Sequence, residues 1–131
     1  MSKLLTLDNL VNGKVIKRPS ATCKTPYVAD VELEDGSIVL AHTTSLGCGG
    51  LVNAGSNVLM KKIDKVGNKC KFKVILSIVE EKGNVQYIGT DTSLPELIVK
   101  QCLENNLISS LSSIKSLKSQ TIELALEELT D

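Results

Sequence analysis

The chain has 131 residues, 42% of them apolar, and a formal net charge of zero. That length allows one domain, or one domain with a short appendage. No apolar run approaches the roughly 20 residues that cross a bilayer, and the first ten residues, MSKLLTLDNL, lack a secretory pattern. We therefore expect a cytoplasmic protein without membrane association. Only three residues are aromatic, so valine, isoleucine and leucine are expected to fill the core.

The charge is distributed unevenly along the chain. Residues 1–73 contain eleven Lys and Arg against six Asp and Glu, a net +5. Residues 74–131 contain four against nine, a net −5. Such an asymmetry indicates that the first part faces a polyanion. An accident of surface composition explains it equally well.

The four cysteines lie far apart in the sequence, and no two form a C-x-x-C pair. Structural zinc sites draw their ligands from closely spaced pairs, so no metal site is expected. Without a secretory context, disulfides are not favoured either. We expect free thiols and no cofactor. The cysteines are Cys23, Cys48, Cys70 and Cys102.

Residues 1–91 predict a β domain. The segment 27–33, YVADVEL, alternates between two faces as a half-buried strand does. The EDG that follows is a hairpin turn in which Gly36 supplies a positive φ. Short strands joined by Gly and Asn turns predict a small antiparallel barrel or sandwich. The other predicted strands cover residues 13–18, 37–42, 57–63, 69–81 and 85–89.

The pattern changes at residue 92. SLPE, residues 93–96, is a capping box, and apolar residues then recur at helical spacing. They predict a helix over 94–105 that ends at Asn105–Asn106 in a left-handed conformation. Residues 92–131 thus form a second, helical part. Its last apolar segment, TIELALEEL (121–129), fits either a strand or a helix.

A glycine-rich loop follows the only histidine, His42. The loop does not match G-x-x-x-x-G-K-[ST], and no helix follows it, so it predicts a barrel connection rather than a phosphate cradle. A general base needs an orienting partner and a nucleophile within reach. The spacing between His42 and Cys48 indicates neither, which favours a structural or ligand-facing histidine. We predict no catalytic residue.

Lysines recur on two neighbouring predicted strands. Lys61 and Lys62 lie on one strand, and Lys69, Lys71 and Lys73 share a face of the next because they recur at period 2. A cationic stripe of this kind attracts phosphates. The same pattern is typical of a solvated face that discourages edge-to-edge pairing. With so few aromatic residues for base stacking, tight stacking-driven binding is not expected.

Several motifs resemble the sugar fermentation stimulation (SfsA) family over roughly residues 10–126. They are ADVELEDG (29–36), AH (41–42), NAGSNVLM (53–60) and TSLPELIV (92–99), the last similar to the family's N-T-x-L-P-N-x-L-V helix start. The resemblance implies an OB-fold barrel associated with DNA binding, followed by a nuclease-like lobe. The family's arginine ahead of ADV is replaced by Pro26, which removes a bidentate phosphate donor. The resemblance therefore implies weaker DNA binding here.

The resemblance aligns Glu123 with the metal-binding aspartate of the nuclease-like lobe. No Glu-x-Lys follows it in the sequence. Phosphodiester hydrolysis needs several convergent carboxylates and a lysine, so nuclease activity is not expected. A nuclease would need a second chain to supply the missing Glu and Lys.

We therefore predict a mainly β protein of the α+β class. A five-stranded OB-like antiparallel barrel spans residues 1–91, and a capped helix with a short C-terminal segment, the remnant of a second lobe, spans 92–131. The predicted function is non-catalytic binding of nucleic acid, above all DNA. The binding is expected to be weak and largely sequence-independent, because nothing resembles a base-reading helix. The predicted contacts are Lys14, Lys17, Arg18, Tyr27, His42, Lys61, Lys62, Lys69, Lys71 and Lys73.

One alternative is an interaction or assembly protein. The acidic, leucine-rich segment 121–129 would expose its apolar residues unless it docked on a partner or on a second copy of the chain. This alternative predicts a homo-oligomer formed through the C-terminal segment.

Overall fold

The computed structural model describes residues 5–46 and 48–106. These form six β-strands and one α-helix, close to the predicted segments. The helix α1 runs over Ser93–Glu104. The strands are β1 (Leu10–Lys17), β2 (Val28–Leu33), β3 (Ile38–His42), β4 (Asn57–Lys62), β5 (Phe72–Glu81) and β6 (Asn84–Gly89).

The strands form one sheet in the order β3-β2-β1-β4-β5-β6, with a further pairing between β3 and β5. This pairing, Ala41 opposite Phe72 and His42 opposite Lys73, closes β1 to β5 into a ring. The predicted five-stranded barrel is confirmed, and a sixth strand, β6, pairs with the second half of β5. The closing pair is parallel, whereas every other pair is antiparallel, as predicted.

Valine dominates the barrel core. The fully buried cluster contains five valines, Val15, Val31, Val52, Val58 and Val74, together with Ala29, Ala41 and Met60. Leu33, Val39, Leu51 and Phe72 pack around it. Isoleucine and leucine, which were expected to share the core, lie mostly at its margin. A narrow barrel suits compact β-branched side chains, which pack well on a pleated surface.

The β2–β3 turn has the predicted geometry. Gly36 adopts φ +86°, and the Leu33 N–H donates to the Ser37 carbonyl across the turn. The Asp35 carboxylate accepts hydrogen bonds from the Ser37 N–H at 2.9 Å and from its hydroxyl at 2.5 Å. These bonds favour the ionised carboxylate, so they lower the pKa of Asp35 below its ordinary 3.8.

We expect this carboxylate to add stability that depends on pH. A lowered folded-state pKa means that the contribution is complete above about pH 4 and is lost as the pH falls through the folded value. Urea midpoints of wild type and Asp35→Asn should therefore differ at neutral pH and converge towards about pH 2. Glu34→Gln, a neighbouring loss of one charge, is the control. A constant difference between wild type and Asp35→Asn at all pH values would contradict the assignment.

The predicted strand over 69–81 is shorter than expected. Strand β4 ends at Lys62, and the Ile63 N–H makes the last ladder-type bond, to the Lys71 carbonyl at 2.7 Å. Residues 69 and 70 have no opposing strand, so β5 begins only at Phe72. Lys69 and Lys71 therefore precede the strand on which their period was predicted.

Helix α1 ends as its sequence predicts. Asn106 adopts a left-handed φ of +53°, and the Asn105 side-chain amide donates to the Gln101 carbonyl at 2.8 Å. The Asn105 bond satisfies a carbonyl group in the last turn of the helix, and the left-handed conformation of Asn106 ends the helix. The chain divides into two compact units, residues 7–92 and a second that contains α1. No helix among residues 5–46 and 48–106 is long and apolar enough to span a membrane.

Candidate nucleic-acid interface

Three predicted contact residues form one row on the outer face of the barrel. His42 stands beside Lys73 across the β3–β5 pair, and Lys73 stands opposite Lys61 across β4–β5. Directly opposed residues have Cβ atoms about 5 Å apart. The ring closure between β3 and β5 therefore places His42 directly beside Lys73, and Lys61 lies on the far side of Lys73.

Lysines are concentrated where β4 turns into β5. We call residues 61–71 the basic hairpin; it carries Lys61, Lys62, Lys65, Lys69 and Lys71 against one carboxylate, Asp64. All five lysines are exposed. In the part of the chain that the structure describes, none of the five takes part in an ion pair. The basic hairpin is thus a dense surface of uncompensated positive charge.

Individual lysines of the basic hairpin face different directions. Lys61 and Lys71 lie on the same outer face as Lys73, because Lys71 is opposite Ile63 and two residues from Lys73. Lys62 stands opposite Phe72 and lies on the other face at the end of the barrel. Lys62, Lys65 and Lys71 border an open depression of about 310 Å³ in the hairpin, with Val66 almost fully exposed beside them.

Lys73 differs from the lysines of the hairpin, because its charge is compensated. Its Nζ lies 3.2 Å from Oδ2 of Asp91, whose side chain is only 7% exposed. Asp91 is also tied to the β3–β4 connection, since the Thr44 hydroxyl donates to its Oδ1 at 3.5 Å. Two lysines directly opposed on a sheet repel each other. The Asp91 carboxylate offsets that repulsion and leaves Lys61 as the free cation of the opposed pair.

Arg18 ties the β1–β2 connection to the β3–β4 connection. Its Nε donates to the Pro26 carbonyl at 2.8 Å, its Nη1 to that of Val52 at 3.2 Å and its Nη2 to that of Ser45 at 2.5 Å. Burial lowers the pKa of the Arg18 guanidinium, while the nearby Cys48 acts in the opposite direction. The group remains charged at neutral pH. These bonds give Arg18 a structural role within the fold, and its contact with phosphate stays a prediction.

Lys14 and Lys17 lie apart from the basic hairpin along β1. Lys14 stands opposite Glu32, and Lys17 opposite Asp30, across the β1–β2 pair. An acidic neighbour at cross-strand distance weakens the local positive potential. Leu10, rather than either lysine, is the β1 residue opposite Lys61. The fold therefore does not bring these two lysines into the row formed by His42, Lys73 and Lys61.

Tyr27 lies at the His42 end of the barrel. Its carbonyl accepts a hydrogen bond from the Thr43 N–H at 2.9 Å, and 41% of the residue is exposed. His42 is partly buried beside Val28, its partner on β2. His42 belongs to the row, whereas Tyr27 precedes Val28 and therefore lies on the opposite face of the sheet, beside Thr43. Sequence reasoning missed Lys65, although five lysines within eleven residues are a signal that a charge count detects.

The glycine-rich loop connects β3 to β4, as predicted. It contains a short 3-10 turn over Cys48–Gly50 and is fixed to the barrel by the Ser77 hydroxyl, which donates to the Leu51 carbonyl at 2.6 Å. All four cysteines are free thiols. Over residues 5–46 and 48–106, no three His, Cys, Asp or Glu side chains gather into a group that could hold a metal ion. Glu123 lies outside these residues.

Comparison with known proteins finds relatives over most of the chain. No family model matches it. A sugar fermentation stimulation protein homolog of Geobacter sp. (strain M21) is 32% identical over 112 residues, which cover 85% of this chain and 45% of the relative. A homolog of Prochlorococcus marinus (strain MIT 9301) is 27% identical over 121 residues, or 90% of this chain and 47% of the relative. The chain belongs to the SfsA family.

A solved structure agrees with the SfsA assignment at the level of the fold. Pyrococcus furiosus SfsA in complex with Ca²⁺ superposes with a TM-score of 0.67 at 19% sequence identity. The match covers 90% of this chain and 46% of that protein. The chain thus spans about half the length of the SfsA relatives it matches. The resemblance predicted from the sequence motifs is confirmed, as is the OB-like barrel.

Proposed function

We propose that this SfsA-family barrel is a non-catalytic nucleic-acid-binding module whose main phosphate-contact surface is the basic hairpin. The observation that carries the proposal is the set of five exposed lysines within residues 61–71, none of them ion-paired among the described residues. Lysine neutralises backbone phosphates and releases their counterions, which drives binding regardless of base sequence. DNA is the expected partner, in line with the family resemblance.

The arrangement supports a positional contact with the backbone rather than a base-reading one. The hairpin offers point charges without the forked donors that pair with a base edge, since the guanidinium of Arg18 is bonded within the fold. Two aromatic residues lie in the basic half of the chain as stacking surfaces: Tyr27, which is 41% exposed, and Phe72, which is partly buried opposite Lys62. Stacking contributes about 1–3 kcal/mol per base where it occurs. The expected binding is therefore weak, salt-sensitive and tolerant of sequence.

The proposal predicts a difference between two double variants of equal charge change. Lys61→Gln with Lys71→Gln removes two free lysines of the hairpin, and Lys14→Gln with Lys17→Gln removes two that face Glu32 and Asp30. Fluorescence anisotropy with labelled single-stranded DNA, duplex DNA and RNA, between about 50 and 200 mM salt, gives the slope of log affinity against log salt. Each lost phosphate contact should reduce that slope by about one.

The hairpin variant should therefore lose about two units of slope and bind more weakly to every sequence. The β1 variant should retain most of the wild-type slope. A wild-type affinity that does not change with salt would contradict nucleic-acid binding. Equal losses in the two variants would contradict the hairpin as the contact surface.

A further inference from the structure

Among residues 5–46 and 48–106, strand β6 is an edge strand with one unpaired side. Within the described residues its ladder partner is β5, to which it is joined by a two-residue turn, Lys82–Gly83. Every residue of Asn84–Gly89 except Ile88 is exposed. The backbone N–H and C=O groups on the far side of β6 therefore remain available to another strand.

The composition of β6 does not protect this edge. The sequence NVQYIG contains no charged residue and no proline, the two features with which proteins usually block an exposed edge. Val85 and Tyr87 share one face, with 51% and 63% of each residue exposed. That face continues onto β5, where Ile78 stands opposite Tyr87. Strand β6 thus presents unpaired backbone hydrogen-bonding groups together with an exposed apolar surface.

We propose that β6 is a self-association edge, through which two copies of the chain pair antiparallel about a two-fold axis at Gln86. In that register Val85 of one copy stands opposite Tyr87 of the other, twice, and the two Gln86 side chains face each other. Pairs of an aromatic and a β-branched residue are among those that stabilise a sheet. The pairing continues the sheet from one barrel into the next.

The charge distribution favours a second copy of the chain as the occupant. Identical surfaces bring identical charges together, so two basic hairpins would repel each other, whereas the uncharged β6 meets its twin without repulsion. A contact between identical edges is isologous and closes at two copies. The contact covers only one short strand from each copy. Interfaces that bury less than about 1,200 Å² are typical of weak complexes. We therefore expect the dimer to form only at high protein concentration.

Sedimentation equilibrium of the full chain over a wide concentration range tests the proposal. Wild type should pass from one copy to two and stop there. Val85→Lys places a charge on the edge and should weaken the association at least tenfold. Val66→Lys makes the same change at a valine that is 99% exposed in the basic hairpin, and this control should dimerise like wild type. A wild type that stays monomeric, or a series that grows beyond two copies, would overturn the proposal.

A Val85→Lys variant that associates as strongly as wild type would also overturn it and place the contact elsewhere, for example in residues 107–131. Hydrogen exchange on the wild-type chain is a second test, which does not depend on the correct folding of the variant. Amides on the free side of β6 should exchange more slowly at high than at low protein concentration, while those of Ile38–Leu40 in β3 stay unchanged. Equal exchange of β6 amides at both concentrations would contradict the pairing.

Discussion

Replacing Arg18 with methionine is expected to lower the free energy of unfolding by about 2–4 kcal/mol. The guanidinium donates to the carbonyl of Pro26 in the β1–β2 connection and to those of Ser45 and Val52 in the β3–β4 connection. Methionine retains much of the apolar stem but leaves these acceptors without a donor. The bonds to Ser45 and Val52 are partly buried, so the cost of losing their partner is not fully recovered from water.

Urea unfolding of Arg18→Met measures this loss directly. Lys17→Met, at an exposed neighbouring position, is the control and should change the free energy by no more than about 0.5 kcal/mol. Arg18→Lys should recover only part of the stability, because an ammonium group cannot reach three divergent carbonyls as the planar fork does. If Arg18→Met unfolds at the same urea concentration as wild type, the three bonds do not stabilise the fold as the structure indicates.

Gly13→Ala is expected to destabilise the barrel by about 1–3 kcal/mol, through overpacking rather than through backbone strain. A Cβ at this position would clash with Cγ1 of Val31 and lie 2.8 Å from Cε of Met60. The Met60 methyl group can move because the side chain is flexible, but Val31 is stiff at χ1 and fully buried. The valine must therefore shift within a close-packed core.

A double-mutant cycle distinguishes this clash from a general intolerance of alanine. Val31→Ala alone should destabilise by leaving a cavity, and Gly13→Ala should cost much less in that background than in wild type. Asn12→Ala, at the exposed neighbour, is the control for the strand. Additive effects of the two core substitutions, measured as free energies of unfolding in urea, would show that Gly13 and Val31 do not contact through the added methyl group.

The secondary structure could be predicted from local patterns. Alternation places Ala29 and Val31 in the core, Gly36 takes the positive φ that its turn requires, and Asn106 ends α1 in the left-handed region. Each of these depends on residues within a few positions of one another. The ends of the strands were predicted less accurately. The predicted start of β5 was wrong by three residues, because β5 can pair only as far as β4 extends, whatever the alternation of its residues.

The candidate site could be predicted only in part. A lysine count indicates the basic hairpin, but the pairing of Lys73 with Asp91 joins residues 18 positions apart and depends on the pairing of β5 with β6, which the Thr90–Ile75 backbone bond extends. Arg18 was predicted to contact phosphate, as the lysines were. The three carbonyl groups to which it donates lie 8, 27 and 34 residues away in the sequence and converge only in the folded barrel. Side chains that bond to distant backbone carbonyls leave no periodic signal in the sequence.

The most direct test of the basic hairpin as the nucleic-acid contact is an amide chemical-shift titration of ¹⁵N-labelled protein with a short single-stranded DNA. The largest shifts should fall on residues 61–71 and at His42 and Lys73, while Lys14, Lys17 and β6 change little. Added salt should reverse the shifts, because the contact is with phosphates. Shifts centred on β1 and β2, or no shifts at a large excess of DNA, would contradict the proposed interface.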